Sequence, residues 1–199
     1  MNKPKVLLFD LGGVIVRWVG LDELAILSGL TRETVIKRFM SSSILTSYET
    51  GQCTDDEFIA ELRSVFNLSG HNNSLKRQWN DWVKPTYPGV KKAILALRAR
   101  YRTACLSNTN SLHWKRLEDH ISTDVFFEKS YASHHLNLAK PDKRIYQHVL
   151  DDMKVAASDV WFFDDTMTNI KAAQNLGIHA HHVERQFGVM PTLARLRLL

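Results

Sequence analysis

Three short apolar runs, each stopping abruptly on polar residues, constrain this chain more than any other feature. Lys5-Val-Leu-Leu-Phe9 ends on Asp10, Thr103-Ala-Cys-Leu106 ends on Ser107-Asn108-Thr109, and Val160-Trp-Phe-Phe163 ends on Asp164-Asp165. The first is apolar without a helical period, which fits a strand covered on both faces in a parallel sheet, and the other two repeat its grammar. Helical stretches follow the later two, Ser111 to Asp119 and Thr168 to Leu176, with Gly177 placed to cap the second. Strand alternating with helix predicts an α/β fold built on a doubly wound parallel sheet, whose ligand crevice lies beyond the carboxyl ends of the strands. The polar stops then fall at that crevice.

After Asp10, Leu11-Gly12-Gly13 puts two flexible residues where the backbone must turn sharply or approach a ligand closely. Between the first strand and a helix start at Pro88-Gly89 lies a segment of different character, residues 17 to 86, with amphipathic helical patterns and no convincing strand. It reads as an inserted helical module. Thr54-Asp-Asp-Glu57 ahead of Phe58-Ile59 is a capping-box signature for one of its helices, and Asn67-Leu-Ser-Gly70 reads as a loop. The expected organisation is therefore a core of residues 1–16 and 87–199 interrupted by an insert of residues 17–86; a chain of 199 residues has no room for two catalytic domains.

Bulk properties narrow the partners. With 44% hydrophobic and 24% charged residues the chain matches an ordinary soluble globular protein, not a disordered one. A net charge of +5 and a pI near 9.2 favour an anionic partner. The basic residues are scattered, with no run of about five or more, so a small phosphate ester is expected in place of nucleic acid or a membrane surface. Lys3 and Lys5 ahead of an apolar stretch resemble the start of a signal peptide, but Asp10 interrupts it and no small-residue cleavage site follows. Nothing approaches the length of about eighteen apolar residues that a membrane span needs, and a cytoplasmic location is expected. Cys53 and Cys105 are far apart, so neither a disulfide framework nor a zinc site is indicated, and Cys105, inside an apolar run, is expected in the core.

If the parallel sheet holds, Asp10, Ser107, Lys140 and the Asp164-Asp165 pair converge from separate stretches of chain. Phosphoryl transfer needs such a set: an oxygen nucleophile, a divalent cation, and donors for the remaining phosphoryl oxygens. Adjacent carboxylates repel unless a cation or a proton lies between them, and hard oxygen ligands with room for water suit Mg²⁺. Each member has a plainer reading. The acidic pair could be a surface turn capping the next helix, Ser107 an ordinary turn residue, and Lys140 before Pro141 a solvated side chain.

Taken together, Phe9-Asp10-Leu-Gly-Gly-Val14, Leu106-Ser107-Asn108-Thr109-Asn110, Ala139-Lys140-Pro141-Asp142 through Ile145-Tyr146, and Phe163-Asp164-Asp165 followed by Asn169-Ile170 resemble the four motifs of the haloacid dehalogenase (HAD) superfamily, in order and with suitable spacing. The likeness is to subfamily IA, in the branch that holds bacterial α-D-glucose-1-phosphate phosphatases and the N-terminal phosphatase domain of soluble epoxide hydrolase. It implies a Rossmann-like core with an α-helical cap inserted after the first motif. By position it makes Asp10 the nucleophile that becomes an aspartyl-phosphate. Ser107 and the Asn108 backbone become phosphate donors, and Lys140 neutralises nucleophile and phosphate. Asp10, the carbonyl of Gly12, and the acidic pair, Asp165 more directly than Asp164, would hold Mg²⁺.

One position departs from the pattern. Most HAD phosphatases carry a second Asp two residues after the nucleophile as general acid and base, and this chain has Gly12. Losing a general acid costs roughly 10² to 10⁴ in rate, which favours substrates with acidic leaving groups such as sugar 1-phosphates. Trp18, Tyr48, Glu49, Trp79 and Trp82 are candidate contacts from the insert to the substrate, although aromatics there are more often its core. His113 follows the second motif; it reads first as a helix-surface histidine and second as a proton source near the crevice. His179 and His181 share one side of a presumed strand, but no carboxylate or cysteine pattern accompanies them, which argues against a metal site. Two other functions remain open at this point. A haloacid dehalogenase proper would leave Asp164-Asp165 as unexplained charge, and a weak or inactive binding module would not need Asp10.

Overall fold

The computed structural model describes residues 3–199, so the first two residues of the expected core range lie outside the described residues. Five parallel strands form the central sheet: β1 (Val6–Phe9), β4 (Arg102–Ser107), β5 (Lys129–Ala132), β6 (Val160–Asp164) and β7 (His179–His182). Their order is β5-β4-β1-β6-β7, which places the strand bearing Asp10 in the middle, between those bearing Ser107 and Asp164. The remaining strands, β2 (Val16–Trp18) and β3 (Val83–Thr86), pair antiparallel as a separate ribbon.

The apolar runs are continuous because both faces of the sheet are buried. Leu7 and Phe9 of β1, Cys105 of β4 and Phe163 of β6 face one core, shared with Val90, Ile94 and Leu97 of α6 (Val90–Arg98). Their neighbours Val6, Leu8, Ala104, Leu106, Val160 and Phe162 face the other, against Ile145, Tyr146, Val149 and Met153 of α10 (Lys143–Met153). Period-two alternation thus sends successive side chains to opposite apolar layers, which is the doubly wound arrangement. Cys105 is fully buried there. Helices α7 (Ser111–His120), α8 (Thr123–Phe126), α9 (Ser133–Leu136), α11 (Met167–Asn175) and α12 (Met190–Arg195) complete the covering layers. Gly177 takes φ +86° just past α11, and the Ile178 N–H donates to the Ala173 carbonyl at 3.1 Å, closing the helix end as its position suggested.

Between β2 and β3 lie α1 (Gly20–Ser28), α2 (Arg32–Ser41), α3 (Ser43–Glu49), α4 (Asp55–Phe66) and α5 (Asn72–Asp81). They close around their own hydrophobic cluster, which includes Leu24, Phe39, Phe58, Leu62 and Trp79. The Thr54 hydroxyl accepts from the Glu57 N–H at 3.3 Å, and the Glu57 carboxylate accepts from the Thr54 N–H at 2.8 Å, completing the capping box. The expectation of a strand-free segment is corrected by β2 and β3. Each is only three or four residues long, and Pro85 lies within β3, so neither carries a readable strand pattern. They exist because they pair with each other, Val16 with Thr86 and Trp18 with Val83, where the segment leaves and rejoins the core.

Candidate active site

Register brings the polar stops together. Phe9 lies opposite Cys105 on one side and Phe163 on the other, and the Asp10 N–H donates to the Phe163 carbonyl at 2.8 Å. Asp10, Ser107 and Asp164 therefore emerge side by side at the carboxyl edge of the three central strands. Gly13 then turns the chain at φ +79°; a Cβ there would lie 2.3 Å from Asp165 Oδ2, so only glycine allows this approach. Gly12 differs, with a φ outside the left-handed region and room for a Cβ whose nearest neighbour would be Trp18 Cβ at 3.8 Å.

Lys140 reaches this edge from the loop before α10. Its Nζ donates to Asp10 at 2.8 Å, to Asp164 at 2.7 Å and to the Leu106 carbonyl at 2.9 Å, with the side chain 1% exposed. Burial works against its charge, yet Asp10 and Asp164 outweigh burial and hold its pKa above the usual lysine value. The plainer reading of a solvated lysine is thereby excluded. Asp164 is further saturated by Asn169 Nδ2, 3.1 Å from each oxygen, and by the Thr166 N–H at 2.8 Å. Asp10, Asp164 and Asp165 each present an oxygen within 4.8 Å of the others. Burial pushes the Asp10 carboxyl up to about 7; Lys140 opposes the shift, and the charges of Asp164 and Asp165 add to it. Three carboxylates thus meet two cations here, Lys140 and, paired with Asp165, Arg185.

On the other flank, Asn108 ties three segments. Its Oδ1 accepts from the Lys140 N–H at 2.8 Å, while its Nδ2 donates to the Lys140 carbonyl at 2.9 Å and to Glu49 Oε2 at 3.3 Å. Ser133 Oγ accepts from the Thr109 N–H at 2.9 Å and donates to its carbonyl at 3.0 Å, fixing the same loop. The Ser107 hydroxyl is buried, and its contact is the Asn108 carbonyl at 3.5 Å, a weak bond that leaves it available to a ligand.

Other residues singled out from the sequence land differently. Glu49, at the end of α3, is brought to the crevice edge. Tyr48 stacks on Phe58 at 4.0 Å and donates to Asp55 at 2.9 Å, and Trp79 is 1% exposed, so both belong to the core of the insert. Trp82 is buried with them. Trp18 joins the two hydrophobic regions and lies beneath the Arg185 guanidinium, 5.5 Å from the ring centre. His113 is not on a helix surface: it stacks on Trp79 at 4.6 Å with its Nε2 2.8 Å from the Trp79 carbonyl, and burial pulls its pKa down to about 4. Its helix docks against the insert, which the local pattern of α7 does not reveal. His181 packs on Phe163 and Trp161, and His179 is exposed. Arg185 was missed: its Nε donates to Asp165 Oδ2 at 2.6 Å from the loop after β7, where Glu184-Arg185-Gln186 carries no local signal.

Comparison with known proteins agrees with this geometry. The family model for haloacid dehalogenase-like hydrolases matches residues 4–177. D-ribitol-5-phosphate phosphatase of Bacteroides thetaiotaomicron is 26% identical over 90% of this chain and 92% of its own length. Sesquiterpene phosphatase astK of Aspergillus oryzae is 26% identical over 96% of each chain. Among solved structures, a HAD family enzyme of Bacteroides thetaiotaomicron in complex with magnesium and inorganic phosphate superposes with a TM-score of 0.74 and 27% identity, covering 90% of this chain and 93% of that one. The chain belongs to the haloacid dehalogenase-like hydrolase family. Within it, Asp10, Asp164 and Asp165 form an acidic triad, the relatives above are phosphatases, and this chain stands with the phosphoric monoester hydrolases. Among the described residues no helix is long and apolar enough to cross a membrane.

Proposed function

We propose that this chain is a Mg²⁺-dependent phosphatase of a small phosphorylated metabolite, with Asp10 as nucleophile. The observation that carries the reading is the convergence of Asp10, Asp164 and Asp165, the first two on the buried Lys140 ammonium and the third on Arg185. A hard divalent cation fits that donor set, which is all carboxylate oxygen and sets three carboxylates against the two cations Lys140 and Arg185. Asp10, Asp165 through the oxygen that Arg185 does not hold, and the Gly12 carbonyl would hold it, with Asp164, both of whose oxygens are engaged by Lys140, Asn169 and Thr166, acting less directly. When bound, the cation withdraws charge from the phosphoryl oxygens and keeps Asp10 ionised at neutral pH.

The Asp10 carboxylate attacks phosphorus as the bond to the ester oxygen breaks, and water then releases phosphate from the aspartyl-phosphate. Lys140 balances charge on Asp10 and the phosphoryl group, while the Ser107 hydroxyl and Asn108 N–H donate to its oxygens. The inserted helices act as a cap that excludes water during transfer. Its contacts with the core support this: Glu49 on Asn108, Ser111 donating to Asp55 at 2.7 Å, and His113 on Trp79. The Gly12 position on its own favours sugar 1-phosphates, whereas likeness to D-ribitol-5-phosphate phosphatase supports phosphorylated carbohydrates more broadly. The test is phosphate release from 4-nitrophenyl phosphate by purified protein. Activity should need Mg²⁺ and disappear in Asp10→Asn; undiminished turnover in excess chelator or in that variant would refute the mechanism.

A further inference from the structure

Hydrolysis of an ordinary alkyl phosphate needs a proton for the departing oxygen, and position 12 has no side chain to supply it. The leaving oxygen lies roughly in line with the attacking one, on the far side of phosphorus from Asp10. Since Asp10 rises from the sheet edge, the departing group points toward the inserted helices. A carboxyl from the insert is already there. Glu49 Oε2 accepts from Asn108 Nδ2 at 3.3 Å, one residue from Ser107, and among the described residues its Oε1 has no hydrogen-bond partner.

The turn that carries Glu49 is held against the core on both sides. Just before it, Tyr48 donates to Asp55, which accepts from Ser111 of the core at 2.7 Å. Just after it, Gly51 takes φ +68°, and a Cβ there would sit 2.7 Å from the His134 carbonyl oxygen, so the backbone approaches as closely as only glycine permits. Other candidates are otherwise occupied. The His113 Nε2 is engaged with the Trp79 carbonyl, Asp165 is held by Arg185, and Asp164 is held by Lys140.

Resting on the phosphatase reading above, we propose that Glu49 is the general acid and base of this enzyme, supplied by the insert in place of a carboxyl at position 12. As the ester P–O bond breaks, the proton on the Glu49 carboxyl passes to the departing oxygen, leaving the alcohol, the aspartyl-phosphate and the Glu49 carboxylate. That carboxylate then takes a proton from the water whose oxygen attacks phosphorus. The Asp10–phosphorus bond breaks, and inorganic phosphate, free Asp10 and protonated Glu49 are regenerated. Burial pushes the Glu49 carboxyl up to about 7, with Asp10 adding to the shift and Lys140 and Asn108 opposing it, so protonated and ionised forms coexist near neutrality. Esters of simple alcohols then fall within reach, and substrates are not confined to anomeric phosphates.

The test compares first-turnover release of the alcohol or phenol from 4-nitrophenyl, phenyl and benzyl phosphate, esters of similar shape and falling leaving-group acidity, in the presence of Mg²⁺. Wild-type rates should depend weakly on the leaving group. Glu49→Gln should slow benzyl alcohol release by roughly 10² to 10⁴ but nitrophenolate release by less than about tenfold, the latter also reporting that the variant is folded. Equal losses on all three esters, a change confined to KM, or a wild-type enzyme that cleaves the nitrophenyl ester but not the benzyl ester would each overturn the assignment. A wild-type enzyme that releases phosphate from none of them overturns the phosphatase reading itself, and this one with it.

Discussion

Replacing Lys140 by Met removes a buried ammonium that touches two carboxylates, and the structure says which of them suffers. Asp164 keeps Asn169 and the Thr166 N–H, whereas the ion pair that Asp10 loses, at 2.8 Å, is with Lys140 itself. Breaking a buried pair by removing one partner costs about 3–5 kcal/mol. In a domain of this size each kcal/mol lowers Tm by about 2–4 °C, so a fall of about 6–20 °C is expected in chelator near pH 8. The loss should shrink on acidification. Asp10 has a folded pKa raised to about 7, so its contribution is full below its unfolded value and disappears as pH rises through the folded one. Without Lys140 that folded pKa rises further, and protonation relieves the variant at lower pH. Calorimetry of both proteins in chelator at about pH 5.5 and about pH 8 checks the sign as well as the size. A Tm difference under about 3 °C near pH 8, or a larger difference at the acid end, would refute the account of Lys140 as the buried counter-ion.

His113 gives the opposite slope: its folded pKa is depressed to about 4, so its stabilising effect is present above about pH 6.5 and lost as pH falls toward 4, by about 3 kcal/mol in full. Urea titrations should show that His113→Phe is less stable near neutrality but loses less on acidification. Gly12→Asp should fold like the wild type, since its Cβ would meet only Trp18 Cβ at 3.8 Å, and in a Glu49→Gln background it should recover benzyl phosphate turnover. Gly13→Ala, one residue on, drives a Cβ into Asp165 and forces φ +79° on a side-chain residue, so Tm and activity should both fall. Ser111→Ala removes the donor from the core to Asp55 and should raise the rate at which amides of the α3–α4 turn exchange with deuterium, with little change in global stability.

What could be read from the sequence follows from where its signals are local. Val6–Phe9, Ala104–Leu106 and Val160–Phe163 had to be apolar at every position because helices cover both faces, and that necessity is visible residue by residue. The capping box at Thr54 and the turn at Gly177 are equally self-contained. By contrast, β2 and β3 are made by partners far apart in the chain, and Pro85 hides the second. His113 has the spacing of a surface residue and is buried only because α5 brings Trp79 onto it. Arg185 meets Asp165 across 20 positions, through the return of the chain after β7, with nothing nearby to mark it. Glu49 was legible as a candidate contact, but its place beside Asn108 depends on the docking of the whole insert.

The β2–β3 ribbon means that the chain leaves the core and returns to it at a single place. Residues 19 to 82 hang from one doubled tether, so a segment of different length or shape could occupy that position without shifting any strand of the central sheet. Asp10, Ser107, Lys140 and Asp165, the groups proposed above to hold and break the ester, would stay where they are. The choice of ester, and on the reading above the supply of the proton, would travel with the exchanged segment. Such an enzyme could change its substrate and its leaving-group tolerance in one recombination event, while the part that handles phosphate is inherited untouched.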